Sequence, residues 1–222
     1  VTRIHVICEG QTEETFVNEV LIDALRPKGI ELIPALLGKP GHKGGHVNFE
    51  RVLTDVRIRL LGDRKAWCTT LFDFYGLAAD FPGKAAAQHK TSAAAKASCV
   101  QAALTEALLA KLGDEAMRRF IPYVQMHEFE GLLFSDPSGL AQGINQLALE
   151  QDFRLIREQF DTPESINDNP STAPSKRIKK LFAAYDKPLH GALAAIEIGL
   201  PTIREQCTHF DDWLCCIEAL SR

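Results

Sequence analysis

The chain has 222 residues, 45% hydrophobic and 24% charged, with a formal net charge of −4, the profile of an ordinary globular chain long enough to bury a real core. No apolar run approaches the roughly 20 residues that span a bilayer, and the N-terminus lacks a basic-then-apolar leader, so a cytoplasmic chain with no membrane partner is expected. The negative balance excludes a protein that coats nucleic acid through bulk positive charge, while local patches stay available. Thr172 to Gly191 is one such patch, with Lys176, Arg177, Lys179, Lys180 and Lys187 against the single acid Asp186. The cysteines (Cys8, Cys68, Cys99, Cys207, Cys215, Cys216) form no C-x-x-C pair and no zinc spacing, and read as buried thiols.

Ile4 to Glu14 (I-H-V-I-C-E-G-Q-T-E-E) opens the chain as strand, tight turn and helix. Its apolar run ends in Glu9, a glycine follows, and Phe16, Val17, Val20, Leu21, Ala24 and Leu25 keep helical spacing. Thr12 is an expected N-cap, and Glu13 and Glu14 suit the positive end of a helix dipole. Glu9 precedes the cap and lies where open α/β sheets place ligands, beyond the carboxyl ends of their strands. Arg26-Pro27-Lys28-Gly29 stops the helix, and Ile30 to Leu37 reads as a second strand.

Gly38 to His46 is a glycine-rich basic loop without P-loop spacing, a surface turn or a phosphate-approaching loop. Asn48 should cap a helix that runs through Val52, Val56 and Leu60 to Gly62. Ala66 to Phe74 is the strongest strand signal and delivers Asp73 to its carboxyl end. Parallel strands joined by right-handed crossovers would bring that end beside Glu9. Tyr75 to Thr91 is a long loop, and Ser92 caps an alanine-rich helix that ends at Gly113. Phe120 to Met126 is a further strand, followed at once by His127-Glu128-Phe129-Glu130. If this segment stays extended, Glu128 and Glu130 share a face. His42, His46, His89 and His127 lack metal spacing and read as surface or core residues.

From Asp136 the texture changes to short helices with strong start signals. Asp136-Pro137 and Thr162-Pro163 are cap-plus-proline starts, Ser175 is an expected cap for Lys176 to Phe182, and Asp211 for the last helix. Ile166 to Pro174 reads as a loop. The expected architecture is α/β: a mostly parallel sheet flanked by helices over residues 1–135, with a helical extension over 136–222 packed on it, or the two as a single domain. Tyr75 and Trp213 read as packing residues.

Three strand ends carrying carboxylates call for neutralisation, because like charges at short range raise one another's pKa or recruit a cation. Mg²⁺ takes oxygen ligands and is commonly held by one or two carboxylates together with a phosphate. Ser175-Lys176-Arg177 at a helix start could offer main-chain and side-chain donors to that phosphate.

E-G-Q-T-E at Glu9 to Glu13, with T-T-L-F-D-F-Y at Thr69 to Tyr75, resembles the Toprim domain of topoisomerases, primases and OLD-type nucleases. Adding Y-V-Q-M-H-E-F-E-G-L-L-F-S-D (Tyr123 to Asp136), A-P-S-K-R (Ala173 to Arg177) and C-T-H-F-D-D-W-L (Cys207 to Leu214), nearly the whole chain is similar to an uncharacterised bacterial Toprim-like family. The resemblance implies phosphoryl transfer dependent on Mg²⁺ or Mn²⁺, with Glu9 as metal ligand or acid/base and Asp73 as the first acid of a D-x-D pair. Tyr75 stands where the second acid belongs, so Glu13, Glu128 or Glu130 supplies it or the site is degenerate. The resemblance further implies a DNA nuclease with Glu9, Asp73 and Lys176 as catalytic residues, a partner ATPase of AAA or ABC type, and a role in DNA repair or phage defence. Oligomeric state is left open. The competing readings are a non-catalytic module that binds DNA or an ATPase, and a small-molecule phosphatase or nucleotide-binding protein using the same acids.

Overall fold

The computed structural model describes residues 1–38, 47–166 and 171–221. Its centre is a parallel sheet in the order β2-β1-β3-β4, with β5 also paired to β3. The strands are β1 (Thr2–Cys8), β2 (Ile30–Leu36), β3 (Trp67–Asp73), β4 (Phe120–Ile121) and β5 (Val124–Gln125). Each crossover from one strand to the next parallel strand carries helix or loop, which covers both sheet faces. This is the α/β architecture with a parallel sheet, flanking helices and C-terminal helices that the alternation of strand and helix signals implies.

Side-chain alternation along β1 divides the core. Ile4, Val6 and Cys8 belong to one apolar cluster and Ile7 to the other. The first cluster is closed by the N-terminal helical run (Phe16, Val17, Leu21, Leu25) and by Leu140, Phe153, Ile178, Ile198, Phe210, Trp213, Leu214 and Ile217 from the C-terminal helices. Residues beyond 136 therefore share their core with β1. On the other face of the sheet, Val52, Val56 and Leu60 of the Phe49–Gly62 helix and Val100, Leu104 and Leu108 of the Ala93–Leu112 helix belong to the second cluster. Each such large side chain, fully buried, contributes about 1.5–3 kcal/mol. No helix among the described residues is long and apolar enough to cross a membrane.

Several local expectations need correction. The strand expected over Phe120 to Met126 is split at Pro122, which has no N–H to pair. Hydroxyls of β3 fill the gap: Thr69 Oγ1 donates to the Ile121 carbonyl at 2.7 Å and Thr70 Oγ1 to that of Tyr123 at 2.7 Å. Thr12 does not cap the first helix. Gly10 holds that position, and Glu13 Oε2 reaches back to accept its N–H at 2.8 Å.

Asn48, Ser92 and Asp136 cap as expected. Ser175 and Asp211 do not, because their helices start earlier, at Pro174 and Thr208. Thr162 makes no side-chain cap hydrogen bond, and its hydroxyl pairs with that of Ser165. Cys215 and Cys216 are exposed, not buried, and Cys99 is intermediate. Residues 39–46, with most of the glycine-rich loop, His42 and His46, lie outside the described residues, as do 167–170 in the loop expected before Pro174.

Candidate functional site

The acids expected at the strand ends do gather at one edge of the sheet. Past β1 the chain stays in register for one more residue, with the Glu9 N–H donating to the Leu71 carbonyl at 3.1 Å. Glu9 Oε2 then accepts the N–H of Asp73 at 3.0 Å, so the ends of β1 and β3 are joined through a side chain. Gly76 makes room for this contact. A Cβ there would lie 2.6 Å from the Glu9 carboxyl carbon. Asp73 Oδ1 in turn accepts the N–H of Phe129 at 2.8 Å, which ties β3 to the segment after β5.

That segment does not stay extended. Phe74 and Tyr75 donate to the carbonyls of Gln125 and His127, after which the chain turns into a short helix, Glu130–Leu133. Glu128 and Glu130 therefore do not share a strand face. Both instead meet Lys187, whose Nζ lies 3.0 Å from Glu130 Oε2 and 3.8 Å from Glu128 Oε1. Glu128 Oε2 also accepts the N–H of Ser175 at 2.9 Å. The Ser175 N–H expected to face a phosphate is thus engaged by the Glu128 carboxyl of the same chain.

Lys176, expected beside it, is exposed on the Pro174–Leu181 helix. Arg177 donates to the Thr172 carbonyl at 2.7 Å and lies over the Phe160 ring at 5.1 Å, so its charge is engaged in packing this helix. Among the described residues, the cation that meets these acids is Lys187. Its signal was present in the sequence as Asp186-Lys187-Pro188, a cap-plus-proline helix start, and Asp186 Oδ1 does accept the Leu189 N–H. The nearest alternative at the sequence level, Ser175-Lys176-Arg177, has the same texture.

Electrostatics follow from burial. Glu13, Asp73, Glu128 and Glu130 are all buried, Glu130 completely. Burial, and then the Glu13 charge, pushes the Glu9 carboxyl up to about 7. Asp73 is raised well above the usual carboxylate range by burial, with Glu13 and Glu9 adding to it. Burial also raises Glu13, and it takes Glu130 to about 7 even with Lys187 at hydrogen-bond distance. For Lys187 the balance reverses: burial alone would lower its pKa, but Glu130, Asp73 and Glu128 outweigh burial and hold it charged. Glu130 Oε1 and the Tyr185 hydroxyl are both buried here and have no hydrogen-bond partner among the described residues. A cleft of about 290 Å³ opens at Glu9, between the turn and first helical residues Gly10, Gln11 and Thr12, the end of β2 at Leu36 and Leu37, and Lys187 and Pro188.

The matched family span takes in the whole cluster, since residues 8–218 fit one family's pattern. The chain belongs to the family described as Domain of unknown function (DUF4276). No curated protein and no solved structure matches the chain. The span runs from Cys8, before Glu9, to Glu218 in the last helix, so the acids from the strand ends and the lysine from the C-terminal helices fall within a single family unit.

The donor chemistry fits a hard divalent cation, being all oxygen, in excess over the one lysine, and including the unpartnered Glu130 Oε1. The placement is a different matter. No three His, Cys, Asp or Glu side chains among the described residues are arranged to hold a metal ion. Main-chain N–H groups occupy one oxygen each of Glu9, Glu13, Asp73 and Glu128, and Lys187 takes one of Glu130. Tyr75, at the position of the second D-x-D acid, is 40% exposed and turns out not to be a packing residue.

Glu164 escaped the sequence reading. From the Pro163–Ser165 turn its two oxygens accept the N–H groups of His209 and Phe210, both at 3.0 Å, and anchor the start of the Thr208–Glu218 helix. Burial pushes this carboxyl up to about 7. Beyond it, Trp213 stacks on Tyr123 with ring centroids 4.4 Å apart and donates Nε1–H to Thr69 Oγ1 at 2.9 Å. Glu164 and Trp213 thus brace the sheet behind the acids.

Proposed function

We propose that this protein is a divalent-cation-dependent phosphoryl-transfer enzyme of Toprim type, a DNA nuclease using Mg²⁺ or Mn²⁺, that works with an AAA- or ABC-type ATPase in DNA repair or phage defence. The observation that carries the chemistry is the link from Glu9 to Asp73 across two adjacent strand ends, with Glu13, Glu128 and Glu130 buried beside it. Such a set of like charges has a use for a cation and an anionic substrate that a purely structural edge does not. The ion, when bound, supplies Lewis-acid charge to the phosphodiester and to the attacking oxygen.

Glu9 and Asp73 are the residues proposed to hold it, with Glu130 and its unpartnered oxygen as the further carboxylate in place of Tyr75. Glu9, with a pKa near 7, is also suited to take or give a proton near neutral pH. DNA as substrate draws on the exposed Lys176, Lys179 and Lys180, which form a cationic stripe on the helix whose first turn touches Glu128. The ATPase partner and the biological role rest on the sequence resemblance alone.

The test is cleavage of plasmid and single-stranded DNA with Mg²⁺ or Mn²⁺ by wild type, Glu9→Gln and Asp73→Ala. Loss of cutting in both variants is expected, and equal cutting by all three would remove these residues from the site. One observation favours a second reading, a non-catalytic DNA- or ATPase-binding module: among the described residues no three acids are arranged to hold a metal ion. That reading predicts DNA binding without cutting under every metal condition.

A further inference from the structure

The Lys187–Ile198 helix is wedged between its neighbours through small residues. A Cβ on Gly191 would sit 3.4 Å from Thr12 Cγ2 and 3.2 Å from Phe129 Cε1, and one on Gly143 would sit 2.5 Å from Ala194 Cα. Gly191, Ala192, Ala194, Ala195 and Ile198 are buried, so the inward faces of the helix are filled. Its exposed residues are Leu189, Leu193, Ile196 and Glu197. The three apolar ones are 57%, 44% and 50% exposed. At about 100° per residue they fall within an arc of about 60° and form a ridge about 10 Å long. Apolar side chains scattered singly over a surface need no explanation, but an aligned ridge that makes up nearly all of a helix's exposed face marks an interaction surface.

We propose that this ridge is the core of a homodimer, in which the Lys187–Ile198 helices of two copies pack antiparallel across a two-fold axis. An isologous contact requires a self-complementary patch. With the axis between Ala192 and Leu193, Leu189 lies level with Ile196 of the second copy, and the two Leu193 side chains meet at the axis, offset by about 1.5 Å. The charges select the same register. Glu197 stands in the last turn of its helix, where the dipole disfavours an acid, and it has no partner among the described residues. This register sets it level with Pro188 of the second copy, at the positive end of the facing helix. His190 is at hand there, since Glu197 and His190 lie about 70–90° to the same side of the ridge, the flanking positions that pair across packed helices. The Asp186 N–H donates to His190 Nδ1 at 2.8 Å, so the neutral ring carries its proton on Nε2 and can donate it to Glu197 of the second copy. Asp186 at that end is itself engaged, its Oδ1 accepting the Leu189 N–H. A second copy thus matches both the ridge and its flanking charge in one register, the ground for choosing it over an unrelated partner. The pairing makes no use of the reaction proposed above.

Sedimentation equilibrium from low to high micromolar concentration should show the wild type passing from monomer to dimer. Leu193→Glu puts two like charges at the axis and should weaken the dimer about a hundred-fold or more, since the change enters each dimer twice. Ile58→Glu, at a comparably exposed apolar position on the Phe49–Gly62 helix, should leave it unchanged. Disulfide trapping reads the direction of the helices. Oxidised Leu193→Cys should link to itself, and a double variant with Leu189→Cys and Ile196→Cys should link 189 to 196, with peptide mapping to set aside the native exposed Cys215 and Cys216. These cysteine variants decide the matter if Leu193→Glu fails to fold. A wild type that stays monomeric at every concentration, a dimer indifferent to Leu193→Glu, one broken by Ile58→Glu, or links from 189 to 189 would each overturn the proposal.

Discussion

Gly76→Ala should damage the site without touching any acid. Gly76 follows β3 by three residues, and its N–H and carbonyl are hydrogen-bonded to Asp73 and Val47. Its φ is not among the positive ones, so alanine meets no backbone strain. The obstacle is Glu9: the new methyl would lie 2.6 Å from the carboxyl carbon, about 1 Å inside the carbon–carbon contact distance of roughly 3.5–4.0 Å. Glu9 must move by that amount, and a hydrogen bond of 3.0 Å to the Asp73 N–H does not survive it. Leaving that buried N–H without a partner costs roughly 1–3 kcal/mol, which in a chain of this size lowers Tm by about 2–4 °C per kcal/mol. The decisive assay is a double-mutant cycle by urea unfolding, with Gly76→Ala made in wild type and in Glu9→Ala. The loss should be about 1–3 kcal/mol in the first background and under about 0.5 kcal/mol in the second. Equal losses in both would show that the cost lies in the loop backbone and not in the contact with Glu9.

Stability should fall as pH rises. Glu9 moves from an unfolded value of 4.5 to about 7 in the fold, so its protonated form favours the fold. That contribution is fully present below pH 4.5 and is lost as pH rises through 7, up to about 3 kcal/mol. Urea unfolding in chelator between pH 5 and 8.5 should show it, and Glu9→Gln should flatten the profile; an unchanged profile would remove the burial argument for Glu9. Trp213→Phe should lower stability by about 1–3 kcal/mol, since it deletes the hydrogen bond to Thr69 and part of the stack on Tyr123; a Tm within 1 °C of wild type, a shift below about 0.5 kcal/mol, would show that neither matters. If DNA binds across the Pro174–Leu181 helix, charge reversal of the exposed Lys176, Lys179 and Lys180 together should reduce the slope of log K against log salt by up to about three. An unaltered slope would place the DNA elsewhere.

The elements were legible where the signal was periodic and local. Ala66 to Phe74 announced β3 through an unbroken β-branched and aromatic run, and the structure has it as Trp67–Asp73. Asn48 and Ser92 announced their helices because a cap is a property of three or four neighbouring residues. Glu9 and Asp73 were legible as neighbours because parallel topology forces the carboxyl ends of adjacent strands together. What could not be read was contact between distant segments that strand pairing does not force together. Nearer at hand, Glu13 reads as either a metal ligand or a helix-dipole residue, and its carboxylate closes on the Gly10 N–H three residues before it. Lys176 and Lys187 look alike in sequence, each in the first turn of a helix begun with proline. Tertiary packing alone sends one to solvent and the other to Glu130.

That difference bears on how the chain is divided. Residues 1–135 contain every acid of the cluster, and on sequence grounds they read as the working unit with a helical appendage. The structure gives the later residues two roles in the site itself: the Ser175 N–H holds Glu128, and Lys187 holds Glu130. Without them two buried carboxylates lose these partners, and charge of that kind is tolerated only when it is paired. The helices beyond Asp136 also supply Ile178, Ile198, Phe210, Leu214 and Ile217 to the core behind β1. Any ion or phosphate that enters the cleft therefore meets a surface made jointly by the strand ends and by a helix that begins more than fifty residues after the last of those acids. An acidic edge inherited from the sheet is thus tuned by charge from the other end of the chain, and Lys187 is where the two meet.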